Sequence, residues 1–396
     1  MSDTIKRIPA LIVCGLALTG CSLGTENTDV TDPAPNVQYA SVQVGDLHVC
    51  ALTIDGTGLC WGDNITAQLG TSDVETRLNP ALIQTSLKFD SLMLGALHTC
   101  GLVSGKVHCW GANNVGQLGI GINGFPAGVP DSVTGGLRWH TFGTGGVHNC
   151  GTTTDSLTYC WGSGERGQLG EGTTGGQKFW PFPRLVTSDS FFVQVTGGAS
   201  HSCALTEVGQ AWCWGDARFG QIGTGQFIGE ITPALVADGH VFQSIEAGGD
   251  HTCGVTVAGE GYCWGFGANA QLGYGGTNSQ GSPIVVAGGH TFDFISAGGA
   301  HSCGHTPTDE LWCWGLNDSG QLGDGTTDIA LTPVRVNGPI STFRGVSVGS
   351  GSLGSITCAI GTDSKLYCWG RGTEGQLGIG ERVQRVLAPT LVNGSI

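Results

Sequence analysis

The chain has 396 residues, of which 71 are glycine, and only 12% are Asp, Glu, Lys or Arg. The low charged fraction excludes a charged disordered chain, and the net charge of −15 argues against nucleic-acid binding, because a phosphate backbone would be repelled. Glycine at more than twice its usual share of about 7% favours many short strands joined by tight turns.

Residues 1–20 have the layout of a secretory signal peptide. Lys6 and Arg7 precede an apolar run, residues 8–18, which is too short to span a bilayer. The run ends in the sequence LTGC, which resembles the bacterial lipobox, where the chain is cut before a cysteine that then carries lipid. An ordinary signal peptide that leaves Cys21 as a free thiol is the alternative. We therefore predict export and lipid attachment at Cys21, to the outer membrane or cell surface.

A polar, proline-containing tether over residues 21–38 leads into seven copies of one unit, which fill residues 39–396. Each unit holds a Cys, a Cys-Trp-Gly nine or ten residues later, and then a Gln-(Leu/Ile)-Gly. A period near 50 residues made of short strand-like segments is typical of propeller blades, and seven units lie in the usual range for closed propellers. We predict an all-β fold, a closed seven-bladed β-propeller of about 50-residue repeats. The aromatic residues that open the units are Tyr39, Phe89, Trp139, Phe192, Phe242, Phe292 and Phe343.

The unit resembles the regulator of chromosome condensation repeat. Residues 298–323 show the pattern Gly-x-x-His-x-Cys, then Cys-Trp-Gly-x-Asn-x-x-Gly-Gln-Leu-Gly. Kelch repeats have the same length but lack Gly-Gln-Leu-Gly at this place. The resemblance implies a propeller that acts through interactions, as a guanine-nucleotide exchange factor for a small GTPase or, in one secreted bacterial member, as a β-lactamase inhibitor. The paired cysteines, the export signal and the acidity depart from the eukaryotic members.

The fourteen cysteines of the repeats are predicted to form seven disulfides. A turn lies midway between the two cysteines of each unit, such as Ile54-Asp55-Gly56 in the first, so a β-hairpin would place them opposite each other. Metal ligation is the alternative, but one hairpin supplies two thiolates and a zinc site needs four ligands. No metal or cofactor is therefore predicted. The expected pairs are Cys50–Cys60, Cys100–Cys109, Cys150–Cys160, Cys203–Cys213, Cys253–Cys263, Cys303–Cys313 and Cys358–Cys368.

A histidine lies two residues before the first cysteine in six units, and the seventh has Ile356 instead. One interpretation is a ring of imidazoles that binds metal or senses pH around a central channel. The other is a repeated strand position whose ring hydrogen-bonds to the neighbouring blade, and we favour it because such a ring is too wide for several imidazoles to reach one ion. The six residues are His48, His98, His148, His201, His251 and His301.

The connection between the third and fourth units departs from the repeat and is the predicted binding site. It carries Phe179, Trp180 and Phe182 beside Lys178 and Arg184. Aromatic residues flanked by basic ones are typical of interface hot spots. Burial of the aromatic rings against the fourth blade is the alternative.

Carboxylates are scattered singly, and no nucleophile elbow, P-loop or zinc-protease motif occurs in the sequence. We predict a monomeric binding module without enzymatic activity, whose partner is an unknown protein, peptide or glycan and which touches the membrane only through its lipid. The alternatives are an exchange-factor-like regulator of a small GTPase, which export disfavours, and an inhibitor of a secreted enzyme.

Overall fold

The computed structural model describes residues 37–173, 178–349 and 355–394. The predicted signal peptide, Cys21 and most of the tether, residues 21–36, lie outside this range. The described residues form 28 strands in seven four-stranded antiparallel sheets, and each sheet consists of four strands consecutive in sequence. The prediction of a seven-bladed β-propeller is confirmed.

Each sheet is one blade, and its strands run in order from the central channel to the outer edge. The first four blades contain β1 (Tyr39–Val44), β2 (His48–Thr53), β3 (Gly58–Gly62), β4 (Arg77–Leu82); β5 (Ser91–Leu94), β6 (His98–Val103), β7 (Lys106–Gly111), β8 (Ala127–Ser132); β9 (Trp139–Thr144), β10 (His148–Thr153), β11 (Thr158–Ser163), β12 (Phe179–Leu185); and β13 (Gln194–Gly197), β14 (His201–Leu205), β15 (Ala211–Gly215), β16 (Glu230–Leu235). The last three contain β17 (Phe242–Ala247), β18 (His251–Thr256), β19 (Gly261–Gly265), β20 (Gln280–Val285); β21 (Phe294–Ala297), β22 (His301–His305), β23 (Leu311–Gly315), β24 (Ala330–Arg335); and β25 (Phe343–Val348), β26 (Ile356–Gly361), β27 (Leu366–Gly372), β28 (Val383–Leu391). A 3₁₀ turn, Ala237–Gly239, lies between the fourth and fifth blades.

The central hairpin of every blade carries one disulfide. In the first blade Cys50 of β2 pairs in register with Cys60 of β3, and their Cα atoms are 4.1 Å apart. The other six blades repeat this arrangement with the predicted partners, and all fourteen cysteines are fully buried. The disulfide prediction is confirmed, and seven such bonds indicate an oxidising environment outside the cytoplasm.

The hydrophobic cores lie between neighbouring blades. The disulfide of the first blade, for example, packs with Phe89 and Trp110 of the second in one buried cluster. The same combination of one blade's disulfide with the next blade's opening aromatic and tryptophan recurs around the ring. Burial of each tryptophan against its neighbour contributes several kcal/mol, so each blade depends on its neighbours for much of its stability.

The glycine of Cys-Trp-Gly marks a bulge between the third and fourth strands. Gly62 has a φ of 99°, and a Cβ placed on it would lie 2.5 Å from the carbonyl oxygen of Leu47. Only glycine tolerates both the positive φ and this close approach of two backbones.

Every outer strand contains a proline directly before the residue paired with the blade's second cysteine. In the fourth blade, for example, Pro233 precedes Ala234, which pairs with Cys213. Proline has no backbone N–H that could donate to a further strand, so these residues disfavour the pairing of another strand with the seven outer edges. The prolines are Pro80, Pro130, Pro183, Pro233, Pro283, Pro333 and Pro389.

The ring closes by packing between the first and seventh blades, without exchange of a strand. Tyr39 and Trp61 of the first blade are fully buried in a cluster with the disulfide of the seventh. The Trp61 indole Nε1 donates to the carbonyl oxygen of Gln376 at 2.9 Å, and the backbone N–H of Val44 donates to Ser347 Oγ at 3.1 Å. The closing junction therefore shares its aromatic packing with the six others, and the Trp61 indole bond recurs at four of them.

Candidate functional site

The six repeated histidines join neighbouring blades. Each Nε2 lies 2.8–2.9 Å from a hydroxyl or amide oxygen in the next blade. That neighbouring side chain in turn donates to a glutamine carbonyl of the histidine's own blade. The predicted hydrogen bond to the neighbouring blade is confirmed. The pairs are His48–Thr99, His98–Asn149, His148–Ser202, His201–Thr252, His251–Ser302 and His301–Thr357.

This arrangement fixes the protonation of each ring. The hydroxyl of Thr252, for example, uses its proton on the Gln221 carbonyl and must accept from His201, so His201 carries its proton on Nε2. Burial lowers the pKa of five of the six rings to about 3 and that of His98 to about 4, so all are neutral at pH 7. Within the described ranges no group of three or more His, Cys, Asp or Glu side chains is placed to hold a metal ion.

The glutamine of Gln-(Leu/Ile)-Gly serves the same junction through its backbone. The Gln168 carbonyl accepts from Ser202 and from the Trp214 indole at 2.9 Å, both in the next blade. Its side-chain oxygen accepts from the backbone N–H two residues earlier at 2.8 Å, which holds the loop in shape. Sequence reasoning identified the motif but not this role, because a backbone acceptor imposes no visible requirement on the side chain.

Two of the five predicted binding residues, Trp180 and Arg184 of β12, form a cluster with Glu171 of the same blade. The Trp180 indole donates to Glu171 Oε1 at 2.8 Å, and the Arg184 guanidinium carbon lies 4.4 Å from the centroid of the Trp180 ring. Arg184 Nε also lies 3.4 Å from Glu171 Oε2. Lys178, with its Nζ 3.8 Å from a carboxylate oxygen of Glu165, is exposed. These contacts leave the indole half-buried, packed against the cluster that contains Phe192 and Trp214 of the fourth blade.

Phe182 is placed differently, because it faces an open groove. Phe179 is half-buried, whereas 38% of the Phe182 side chain is exposed. Phe182 lines a groove of about 460 Å³ between the second and third blades together with Leu137, Tyr159 and Pro183. We call this the Phe182 groove. Among the described residues, none that lines it is charged.

A second apolar groove, of about 310 Å³, lies between the fourth and fifth blades and was not predicted. Val193, Val208, Val241 and Val257 line it, and each is 45–68% exposed. Val208 occupies the hairpin-tip position that holds Asp55 in the first unit, whereas Val257 is equivalent to Ile54. Comparing hairpin tips between units would therefore have singled out Val208 but not the other three valines of this valine groove.

The central channel contains a cavity of about 180 Å³, lined by the innermost strands of all seven blades. Seven equivalent residues, each paired with its blade's first cysteine, form what we call the inner ring. Glu246 is the one charged residue among those described as lining the cavity, and its Oε1 accepts from Ser296 Oγ at 3.2 Å. Burial raises the pKa of Glu246 to about 7, against hydrogen bonds from Ser296 and the Ala297 backbone that lower it. The inner ring is Gln43, Met93, Gly143, Thr196, Glu246, Ser296 and Ser347.

Comparison with protein families identifies the repeat. A model described as the regulator of chromosome condensation (RCC1) repeat matches residues 155–205, 208–255, 308–357 and 363–396, and a second with the same description matches 192–221 and 292–321. The chain belongs to the RCC1 repeat family. The units before residue 155 form the same four-stranded sheets with the same disulfide, so the RCC1 architecture extends around the whole ring.

Curated relatives of this RCC1-repeat chain match it over about half its length. The ultraviolet-B receptor UVR8 of Arabidopsis thaliana is 31% identical over 217 residues, 52% of this chain and 49% of the receptor. The mitochondrial RCC1 domain-containing protein RUG3 of the same plant is 32% identical over 206 residues, 48% of this chain and 45% of RUG3. Human E3 ubiquitin-protein ligase HERC2 is 28% identical over 231 residues, 54% of this chain but 5% of the ligase. The chain spans about half the length, or less, of these relatives.

Solved structures show the same fold. Human WBSCR16 superimposes with a TM-score of 0.76 at 20% identity, over 85% of this chain and 94% of that one. Prp20p of Saccharomyces cerevisiae, described together with its binding to Gsp1p and histones, gives 0.74 at 22% identity, over 90% of this chain and 87% of Prp20p. At these identities the likeness concerns the fold alone. In the described part of the chain, no helix has the length and apolarity to cross a membrane.

Proposed function

We propose that this RCC1-repeat protein is an extracytoplasmic binding module, held to a bacterial membrane by lipid on Cys21, that recognises a protein and catalyses no reaction. The observation that carries the proposal is the set of seven buried disulfides, one in each blade. Glutathione and thioredoxin keep cytosolic thiols reduced, so such a chain belongs in an oxidising compartment. The signal-like residues 1–20 support the same location.

The outer edges of the blades do not favour recognition through an added strand. A proline stands in each outer strand, and two, Pro181 and Pro183, stand in β12. A peptide that adds a strand needs a continuous row of edge N–H and C=O groups. Recognition therefore depends on side chains in grooves and on the propeller faces.

The Phe182 groove is the surface we assign to the partner. Its lining is apolar, and Arg138 and Arg184 directly follow the lining residues Leu137 and Pro183 in sequence. Arg184 also contacts Glu171, and Arg138 also donates to the Ser104 carbonyl oxygen. An apolar groove with two arginines at its edge is complementary to an apolar side chain that has a negative charge beside it. The occupant we propose is a protein segment that inserts an apolar side chain and places a carboxylate beside it.

Lipid attachment and export are tested in the source cells. We expect metabolically supplied palmitate to label the wild-type protein in the membrane fraction, and Cys21→Ser to abolish labelling. A Cys21→Ser protein that still carries lipid, or a wild-type protein retained in the cytosol, contradicts the proposal.

The binding surface is tested with the full-length protein, which is cross-linked to its partners in intact cells and then extracted with detergent. We expect an envelope or secreted partner whose recovery falls at least tenfold for Phe182→Ala, with an unchanged melting temperature. Val208→Ala, in the valine groove, is the matched control and should retain the partner. Loss with Val208→Ala alone would move the site to the valine groove. A small cytosolic GTPase as the only partner would support the exchange-factor alternative against our proposal.

A further inference from the structure

The inner ring places one carboxylate in the central channel, where none of the described lining residues is basic. Among the described residues that line the 180 Å³ cavity there is no Lys, Arg or His beside Glu246. On the adjacent strand β18, His251 is neutral and directed at Ser302 in the next blade. Arg344 lines a neighbouring cavity of about 250 Å³ and is exposed. An ionised carboxylate without a cationic partner in such a site is costly, so a cationic guest would be stabilised there.

The other members of the inner ring offer oxygen acceptors to such a guest. Thr196 and Ser347 carry hydroxyls and Gln43 carries an amide, and all occupy the position equivalent to Glu246 in their own blades. The Ser347 and Thr196 oxygens also accept from the backbone of neighbouring blades, from Val44 and Ala247, which fixes where they point. The ring therefore adds oriented oxygen acceptors to the same cavity that Glu246 lines.

We infer that the inner ring around Glu246 binds a primary ammonium group, supplied by a small amine or by a lysine side chain. An ammonium is a compact charge with three donors, which suits acceptors spread around a ring. This site is separate from the Phe182 groove and does not depend on the proposed protein partner.

The raised pKa of Glu246 gives the site a pH signature. The ammonium binds the ionised carboxylate, and with a pKa of about 7 the ionised fraction rises about tenfold between pH 6 and pH 8. We therefore expect the association constant for an alkylammonium to rise by about the same factor over that range, because the ammonium itself stays charged throughout.

The test is calorimetric titration of the full-length protein with n-butylammonium and, as the neutral isostere, n-butanol. We expect the ammonium to bind more tightly than the alcohol by at least tenfold at pH 8. Glu246→Gln should remove this preference, and the matched control Glu207→Gln, an exposed carboxylate, should keep it. A lysine tripeptide with blocked ends distinguishes the two sources of the ammonium group. Binding of the peptide would show that the site accepts a lysine side chain of a protein. Binding of butylammonium but not of the peptide would show that it accepts only small free amines.

Equal binding of alcohol and ammonium, or ammonium binding retained in Glu246→Gln, would overturn the inference. So would the absence of any ammonium binding at pH 8, which would mean that Glu246 only accepts from Ser296 as part of the wall. If Glu246→Gln does not fold, the preference for ammonium over alcohol and its pH dependence in the wild-type protein still decide the question.

Discussion

Val49 and Ile356 lie in one hydrophobic cluster at the junction of the first and seventh blades, where every other junction has a histidine bonded to a hydroxyl or amide. Both partners of the polar pair are replaced together, by two buried aliphatic side chains. The substitution leaves no polar atom unsatisfied, because neither half of the hydrogen bond is present. The last junction to close thus needs no directional hydrogen bond at this position.

Restoring the polar pair at the closing junction should require both residues. Ile356→His alone should lower the free energy of unfolding by about 2–4 kcal/mol, since its imidazole would be buried opposite Val49 without a partner. Adding Val49→Thr supplies a hydroxyl that can accept from the new ring and donate to the Gln376 carbonyl. We expect the double variant to recover about 1–2 kcal/mol relative to additivity, measured by denaturant unfolding of all four proteins. Strict additivity would contradict equivalence of the seven junctions.

Removing one hydroxyl from a polar junction should be costly. Thr252→Val keeps the shape but leaves the His201 Nε2–H and one acceptor site of the Gln221 carbonyl without their partner. We expect a loss of about 2–4 kcal/mol in the free energy of unfolding. Thr327→Val, on the exposed surface, is the matched control and should change it by less than about 0.5 kcal/mol. Similar losses in both variants would show that the hydroxyl bridge is not what stabilises the junction.

Acid should destabilise the propeller through the buried histidines. Their pKa values in the folded state lie near 3 to 4, below the ordinary 6.5, so their contribution is fully present above pH 6.5 and is lost as pH falls towards about 3. Between these pH values each histidine binds a proton only in the unfolded state. Each histidine therefore lowers the free energy of unfolding by about 1.4 kcal/mol for every unit by which the pH falls. His301→Gln should reduce the slope of unfolding free energy against pH by that amount, measured between pH 4.5 and 6. An unchanged slope would mean that His301 is protonated in the folded protein.

All fourteen cysteines of the propeller should be inaccessible to alkylation. After denaturation without reductant, we expect iodoacetamide to add no mass to residues 22–396, and reduction beforehand to add fourteen labels. Cys303→Ala with Cys313→Ala should lower the free energy of unfolding by about 2–3 kcal/mol, since the bond closes a loop of about ten residues in the unfolded chain. Several labelled cysteines in the unreduced protein would contradict both the disulfides and the inferred compartment.

The features predictable from the sequence are those formed by a side chain that recurs from unit to unit. The cysteine pairs, the packing of Trp61 and its equivalents between blades, and the histidine bond to the next blade all follow from recurrence plus strand alternation. The outer prolines also recur, but their meaning depends on knowing which strand is outermost. Glu246 could not be identified from the sequence, because the equivalent position holds six different residue types around the ring and Glu246 is the single carboxylate among them. Only the strand register of the seven blades places this residue in the channel.

The first strand, β1, and the last, β28, each belong to a sheet built from four consecutive strands. Each sequence repeat therefore corresponds to one complete blade of the ring. A gene duplication that copies one unit therefore delivers a whole blade, already cross-linked by its own disulfide. The chain could equally begin at any inter-blade connection, as a circular permutant, without dividing a sheet between its ends. Such a ring is open to change in blade number during evolution, and its grooves can diversify one junction at a time.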